Sequence, residues 1–241
     1  MSLSGKTVII TGGGVRLGRA MALAVARDGG DVALHYNRSR EPAEQVQSQI
    51  QAMGRKAHLI QVDLGNSDEV PKLILEARSF APLYGLVNSA AIFKPLDLAS
   101  TALDDWEEHM MVNLTAPFLL SQSFASELEA GEEGRIVNIL DWRALRPSSD
   151  HFPYTISKAG LAALTRSLAV SLAPSITVNG LAFGAILPPS DGAQTDNILD
   201  DVPAGRWADL EEVGKALLFL LNGPAYITGE IIHLDGGRHL I

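Results

Sequence analysis

Short runs of apolar, often β-branched residues alternate along this chain with segments of helical periodicity, and this alternation restricts the possible folds more than any other feature. It is typical of βαβ units built around a parallel sheet. Several of the runs, TVII and GRIVNIL among them, are continuously apolar, as strands are when helices cover both faces of a sheet. The sequence therefore predicts an α/β fold with a single doubly wound, Rossmann-type parallel sheet flanked by helices on both faces.

The two patterns divide the chain into predicted elements. We expect strands at residues 6–11, 31–36, 57–62, 85–88, 134–140, 176–179 and 230–234. We expect helices at residues 16–28, 42–53, 67–80, 103–129, 152–173 and 210–222. The 241 residues fit one large domain, residues 1–241, because no linker or internal repeat interrupts them. Residues 184–209 are rich in Gly, Pro and Asp and lack periodicity, which predicts either a lid-like functional loop or an ordinary mobile surface loop.

The composition excludes several classes of protein. Hydrophobic residues make up 46% of the chain, which is enough for a sizeable core and excludes disorder throughout. The net charge of −9 argues against a general nucleic-acid-binding protein. Cysteine is absent, and the six histidines show no metal-ligand spacing, so no metal site is expected. Without an apolar run near the roughly 20 residues that span a membrane, or a signal peptide, we expect a cytoplasmic protein that acts on a small molecule.

A glycine-rich loop, TGGGVRLG at residues 11–18, follows the first predicted strand and begins a helix. Glycines such as Gly12 and Gly18 let the backbone approach a pyrophosphate, and the helix N-terminus offers free N–H groups. The position predicts a dinucleotide site that includes Leu17, although a tight turn without a ligand is the alternative. Arg16 is a cation at a helix N-terminus, which is unfavourable unless an anion binds there. We therefore expect Arg16 to contact the cofactor phosphates or the substrate.

The end of the second strand indicates which dinucleotide binds. Folds that prefer NAD place an acidic residue about 20 residues after the glycines, whereas this chain has no carboxylate there. The expected cofactor-binding turn is His35, Tyr36, Asn37, Arg38 and Ser39. Arginine and serine suit a 2′-phosphate through charge-assisted hydrogen bonds, so we predict NADP(H) rather than NAD(H). An ordinary basic turn is the alternative.

Asp63, at the end of the third strand, has two interpretations. It suits the edge of an adenine ring. It could instead cap the helix that follows.

Tyr154 and Lys158 lie four residues apart at the start of a predicted helix, so their side chains share one face. With TGGGVRLG, Asn88-Ser89-Ala90, Asn113, VNGLAFG and the terminal DGG, this pair resembles the short-chain dehydrogenase/reductase family over nearly the whole chain.

The resemblance implies specific roles for these residues. Tyr154 is expected to donate or accept the proton, and Lys158 to hold the nicotinamide ribose and lower the pKa of the tyrosine. Asn113 matches the asparagine that anchors a water in the proton relay. The family pattern also implies homotetramers formed through the helix at 152–173, whose surface is small and apolar nearly all round. Further cofactor contacts are expected at Leu64, Asn88, Ser89, Ala90 and Gly184.

The chain departs from the family pattern at Asp141, which stands thirteen residues before Tyr154, where a serine is usual. With Arg16, this substitution resembles the pteridine-reductase branch, including bacterial dihydromonapterin-type reductases. Phe93 falls where those enzymes hold the pterin ring against the nicotinamide, so Arg16, Phe93, Asp141 and Tyr154 are the expected substrate-binding residues. Phe93 could instead be an ordinary core residue.

The chemistry of Asp141 points in the same direction. An ionised carboxylate only accepts hydrogen bonds, so it suits ring N–H or amino groups rather than a ketone oxygen. Its charge raises the pKa of Tyr154 and favours the protonated phenol, which biases the site toward reduction. In the alternative interpretation, Asp141 only caps a turn or pairs with Arg143 or Arg146.

Three functions therefore stay open. The first is NADPH-dependent reduction of a dihydropterin-like substrate. The second is reduction of ketones such as 3-oxoacyl thioesters, with Asp141 as a tolerated variation. The third is a non-catalytic NADP-binding sensor, which would not need Tyr154, Lys158 and Asn113 together.

Overall fold

The computed structural model describes residues 2–188 and 198–241. The strands of these residues form a seven-stranded parallel sheet in the order β3-β2-β1-β4-β5-β6-β7. The strands are β1 (Thr7–Ile10), β2 (Asp31–Tyr36), β3 (Ala57–Gln61), β4 (Leu83–Asn88), β5 (Gly134–Asp141), β6 (Ile176–Phe183) and β7 (Ile231–Leu234). The helices are α1 (Arg16–Arg27), α2 (Arg40–Ala52), α3 (Val70–Phe80), α4 (Leu103–Met110), α5 (Ala116–Ser126), α6 (Phe152–Leu172) and α7 (Leu210–Asn222).

Apolar side chains pack on both faces of the sheet, as the continuously apolar strands predict. One core cluster joins α1, α2 and α7 to the sheet through residues such as Met21, Val46 and Leu217. The second joins α3, α5 and α6 through residues such as Leu73 and Phe124. The predicted Rossmann-type fold is confirmed. The strand order reverses between β1 and β4, and ligands bind at such a switch point, outside the carboxyl ends of the strands.

Strand β6 is longer than the predicted 176–179. It continues to Phe183 and is buried along its whole length. Gly180 interrupts the apolar run in the sequence but continues the strand, because β5 pairs on one side and β7 on the other. A Cβ at Gly180 would lie 2.6 Å from Cδ1 of Leu140, so a larger residue there would force the side chain of Leu140 to move.

The predicted single helix at 103–129 is wrong in its interior. A π-helical turn, Met111–Thr115, separates α4 from α5, and the helical segment ends at Ser126. The N–H of Ala116 bonds to the carbonyl of Met111, five residues earlier, instead of four. Pro117 follows and has no N–H to offer to an α-helical ladder. Such π turns are frequent at functional sites.

The predicted loop at 184–209 is only partly described. Its described parts, 184–188 and 198–209, contain no helix or strand, and residues 189–197 lie outside the described residues. No helix in the described part of the chain has the length and apolar character needed to cross a membrane.

Candidate active site

A large cavity opens at the carboxyl edge of the sheet, beside the switch point. Its volume is about 670 Å³, within the range of about 300–1,000 Å³ that is usual for ligand pockets. Most predicted site residues line it: Gly12, Arg16, Leu17, Gly18, His35, Tyr36, Asn37, Arg38, Ser39, Asp63, Leu64, Ser89, Ala90, Phe93, Asp141, Tyr154, Lys158 and Gly184. The fold therefore gathers residues from both halves of the chain in one place.

The glycine loop is held close to the backbone of the neighbouring strand. Gly12 has a φ of +65°, and a Cβ there would lie 3.2 Å from the Cα of Ala90. A Cβ at Gly18 would collide with the carbonyl oxygen of Gly12. The loop is thus tight enough for α1 to present its N-terminal N–H groups to the cavity.

The imidazole ring of His35 holds the glycine loop in place. Its Nδ1 accepts a hydrogen bond from the N–H of Gly12 at 3.1 Å. Its Nε2 therefore carries the proton and donates to the carbonyl of Val62 at 2.9 Å. Burial lowers the pKa of His35, which favours this neutral tautomer. His35 lines the cavity as predicted, but both of its ring nitrogens bond to the protein.

Arg16 has a backbone conformation that is usual for glycine. Its φ of +48° lies in the left-handed region that favours glycine. Its side chain is exposed along the cavity, and Nη2 donates to the carbonyl of Pro188 at 2.8 Å. The guanidinium therefore lies between the glycine loop and the segment that follows β6.

The far end of the cavity is basic. Arg38 is exposed, and Ser39 lies at the N-terminus of α2, where helix N–H groups attract anions. Arg40 instead pairs with Glu44 at 2.8 Å on the surface of α2. Asn37 donates to Asp63 at 3.1 Å, and Asp63 also accepts from the N–H of Gly65 at 2.9 Å. Asp63 therefore stabilises its own turn as well as lining the cavity.

Asn88, a predicted cofactor contact, has its side chain bonded to the neighbouring strand. Asn88 is not among the described residues that line the cavity, and its side chain donates to Oδ1 of Asn138, its partner on β5, at 2.8 Å. The next two residues do line the cavity. The N–H groups of Ser89 and Ala90 both bond to Oγ1 of Thr11, at 2.8 and 2.9 Å, and this fixes the end of β4 against the glycine loop.

Asp141, Tyr154 and Lys158 meet at the base of the cavity. Tyr154 donates its hydroxyl hydrogen to Oδ2 of Asp141 at 3.3 Å. Nζ of Lys158 donates to the carbonyl of Ile139 at 2.7 Å and lies 5.7 Å from the centre of the Tyr154 ring. Asp141 also caps a 3₁₀ turn, Trp142–Ala144, because Oδ1 accepts from the N–H of Arg143 at 2.9 Å. Oδ1 thus caps the turn, and Oδ2 is the oxygen that bonds to Tyr154.

The electrostatics of this group favour a protonated tyrosine. Burial raises the pKa of Tyr154 well above its ordinary value, and the charge of Asp141 raises it further. The charge of Arg143 lowers this pKa but does not outweigh these effects. The lowering by Lys158 that the family resemblance implies stays a prediction. Burial also raises the pKa of Asp141, and it lowers the pKa of Lys158 to about 8. In this environment Tyr154 is a phenol that can donate a proton.

Asn113 is not among the described residues that line the cavity, and its predicted role of anchoring a relay water stays a prediction. Its side chain is fully buried in the π turn. Oδ1 accepts from the N–H of Ile92 at 2.9 Å, and Nδ2 donates to the carbonyl of Ile92 and to Oγ of Ser157. These bonds hold the loop after β4, which carries Phe93, against α6.

Phe93 lies at the cavity wall and is half exposed, which does not fit a core residue. The ring of His151 stacks on it, with centroids 3.8 Å apart and planes 10° apart. Tyr154 meets it edge-on at 4.6 Å. His151 and its partner Asp150 could not be predicted from the sequence, because only the packing of α6 brings them to Phe93. The same holds for apolar lining residues: Ile92, Val112, Ile139, Leu140 and Ile186.

Comparison with known proteins identifies the family. The family model described as enoyl-(acyl carrier protein) reductase matches residues 14–239. The 3-oxoacyl-(acyl-carrier-protein) reductase of Synechocystis sp. is 32% identical over 241 residues, which cover 98% of each chain. FolM alternative dihydrofolate reductase 1 from Brucella canis, solved with NADP, is 33% identical with a TM-score of 0.92, covering 100% of this chain and 97% of that one. A short-chain dehydrogenase from Burkholderia cenocepacia, also solved with NADP, is 35% identical with a TM-score of 0.93, covering 99% of both chains.

These matches span nearly the whole chain. The fold is the same as in the solved relatives, and the Tyr154–Lys158 pair is part of the family pattern that the sequence resembles. The chain belongs to the short-chain dehydrogenase/reductase family and is an oxidoreductase. Its relatives include both a reductase named for a 3-oxoacyl substrate and one named for dihydrofolate.

Proposed function

We propose that this chain is an NADPH-dependent reductase of a dihydropterin-like substrate. The observation that carries the proposal is the Asp141 carboxylate at the cavity, 3.3 Å from the hydroxyl of Tyr154. A carboxylate accepts hydrogen bonds from ring N–H and amino groups, and a pterin ring offers both. A ketone offers neither, so this site suits a nitrogen-rich ring better than a carbonyl group.

The cavity residues fit NADP(H). The tight glycine loop and the N-terminus of α1 suit the pyrophosphate. Arg38 and the N-terminus of α2 suit a 2′-phosphate, because no acidic residue stands at this position to repel it. NADP is bound in the similar Brucella canis and Burkholderia cenocepacia structures. When bound, NADPH supplies the hydride.

The residues of the chain supply the proton and orient the ring. Tyr154 is held as a phenol by burial and by Asp141, so it can donate its hydrogen to a ring nitrogen as the adjacent carbon is reduced. Phe93 offers an aromatic surface at the cavity wall on which a flat ring can stack. Arg16 lines the cavity at the glycine loop, where its guanidinium can bind a phosphate or the substrate.

Reduction of a 3-oxoacyl thioester is the second candidate. The similarity to the Synechocystis enzyme over 98% of both chains favours it. In this case the oxygen of the ketone would accept its hydrogen bond from Tyr154, and Asp141 would serve only as the cap of the 3₁₀ turn.

The two candidates are separated by measuring NADPH oxidation with a panel of substrates. The panel contains dihydrobiopterin, dihydromonapterin, dihydrofolate, an acetoacetyl thioester and a simple diketone. We expect turnover of one or more of the pterins. Turnover confined to ketones would establish the second candidate, and the absence of turnover with every substrate would point to a sensor.

Substitution of Asp141 tests the residue that carries the proposal. We expect Asp141→Ser to lower kcat/KM for a dihydropterin about tenfold or more, since a hydrogen bond to a charged group contributes about 1.5–3 kcal/mol. Asp141→Asn is the matched variant, because it keeps the shape of the side chain and removes the charge. Unchanged kinetics in both variants would contradict the proposal.

A further inference from the structure

Arg143 links two parts of the site that are distant in the sequence. It lies in the 3₁₀ turn after β5, and its side chain is only 15% exposed. Nη1 lies 3.7 Å from Oδ1 of Asp141, and Nη2 donates to Oδ2 of Asp150 at 2.8 Å. A largely buried arginine held between two carboxylates has a fixed position and a permanent charge.

The second carboxylate extends this contact to the aromatic wall of the cavity. Oδ2 of Asp150 lies 2.8 Å from Nδ1 of His151, whose ring stacks on Phe93. The guanidinium carbon of Arg143 itself lies 5.9 Å from the centre of the Phe93 ring. Arg143, Asp150 and His151, named here the Arg143 clamp, therefore contact both Asp141 and Phe93.

We propose that Arg143 is a positioning residue that keeps Asp141 ionised and, through Asp150 and His151, fixes the plane of Phe93. This inference rests on the proposed function, because it assigns the two substrate-binding groups to one supporting cation. Asp141 and Phe93 line the cavity, whereas Arg143 is not among its described lining residues, so Arg143 acts on the substrate through these two groups.

The charges around Asp141 show why a cation is needed. Tyr154 and Lys158 face it from α6, Arg143 from the 3₁₀ turn, and the charge of Arg238 reaches it from the C-terminal 3₁₀ turn. Burial raises the pKa of Asp141, and the N–H and charge of Arg143 oppose this more strongly than Lys158 does. Without Arg143, the carboxyl would hold its proton to a higher pH.

The pH profile of kcat/KM tests whether Arg143 keeps Asp141 ionised. An opposite charge at this distance shifts a carboxyl pKa by about one unit or more. We therefore expect Arg143→Met to move the acid limb of the profile upward by about one pH unit. Arg143→Lys should keep the limb in place because it keeps the charge. Arg146→Met is the control, since Arg146 is exposed on the same segment and donates to the carbonyl of Arg238.

Asp150→Asn tests whether the Arg143 clamp fixes the plane of the Phe93 ring. It leaves Arg143 and Asp141 paired but weakens the anchor of His151, so the plane of Phe93 is less well fixed. We expect KM for the dihydropterin to rise several-fold, with the acid limb unmoved. If Arg143 were only structural, Arg143→Met would lower kcat equally at every pH without moving the acid limb, and Asp150→Asn would leave KM unchanged. That pattern would overturn the proposal.

A stability measurement separates this inference from the proposed function, because it needs no substrate. The charged form of a carboxyl with a raised pKa destabilises the fold as the pH rises through that pKa. The melting temperature of Arg143→Met should therefore fall further below that of the unsubstituted protein at about pH 8 than at about pH 5. When Asp141 is also replaced by Asn, Arg143→Met should lower the melting temperature by the same amount at both pH values.

The possible outcomes are distinct. If pterins are not reduced but the stability difference depends on Asp141, the proposed function fails and the electrostatic role of Arg143 stands. If the difference is the same with and without Asp141, Arg143 does not act on that carboxyl and the inference is wrong.

Discussion

At the scale of single residues, the proton balance of the site depends on burial more than on any one neighbour. Tyr154 and Lys158 are both enclosed by α6 and β5, and burial shifts their pKa values in opposite directions. The neutral form is favoured in each case, because removing a charge from water is costly. Asp141 adds to the effect on Tyr154 and partly opposes it on Lys158. The result is a phenol that retains its hydrogen beside a lysine that can lose its charge near neutral pH.

The lowered pKa of Lys158 predicts an alkaline limit to activity. Lys158 is charged below its pKa of about 8 and neutral above it. Its charge is expected to help hold the nicotinamide ribose, so kcat/KM should fall as the pH rises above about 8. Lys158→Arg should remove this limb or move it to higher pH, because the guanidinium stays charged.

The measurement is kcat/KM across the alkaline range for both forms, at a fixed ionic strength. Lys215→Arg is the control, since Lys215 lies on the surface of α7, paired with Glu211. If the alkaline limb lies at the same pH in Lys158→Arg as in the unsubstituted protein, the limb arises from the titration of another group.

At the scale of elements, the π turn between α4 and α5 has a local function. It places Asn113 where one side chain bonds to the N–H and the carbonyl of Ile92 and to Ser157 on α6. A regular α-helix through the same residues would rotate Asn113 relative to this loop. The turn therefore supports the backbone that carries Phe93.

Replacing Asn113 should release this loop. Asn113→Ala leaves the partly buried N–H of Ile92 without its acceptor, which costs about 1 kcal/mol of stability or more. We expect the melting temperature to fall and KM for the substrate to rise more than KM for NADPH, because the loop carries Phe93. The control is Ser121→Ala on α5, whose hydroxyl bonds within its own helix to Pro117. Equal increases in both KM values for Asn113→Ala would contradict a specific role in holding the loop.

At the scale of the whole molecule, α6 presents an apolar stripe to the surface. Ile156, Ala163 and Val170 are exposed at intervals of seven residues, which places them on one face of the helix. Val170 is 83% exposed, which is unusual for a β-branched apolar side chain in a helix with few charges. We propose that this face meets another subunit in a homotetramer.

A charge in the stripe tests this assembly. Val170→Glu would place a carboxylate in an apolar interface, and an unpaired charge there is costly. Light scattering should show a smaller species than for the unsubstituted protein. Leu75→Glu, at an exposed position of α3, is the control and should leave the mass unchanged. If light scattering shows that the unsubstituted protein is itself a monomer, the proposed homotetramer is wrong.

Much of the fold could be predicted because its signals are local. The apolar runs and the helical periods follow from the contacts of each element with its own layer, so the order of strands and helices was predictable. The errors fall where tertiary contacts override the pattern. Gly180 lies inside β6 because two strands hold it there, and the π turn lies where the buried Asn113 bonds to Ile92 and to Ser157 of α6.

The sequence by itself determined the parallel sheet, the glycine loop and the Tyr154–Lys158 pair, because short spacings and residue types define each of them. Only the tertiary structure decided the surroundings of Asp141 and Phe93. Burial, the charge of Arg143 and the stacking of His151 arise between segments that are far apart in the chain. Electrostatic and packing interactions depend on distance in space, so no local pattern could have revealed them.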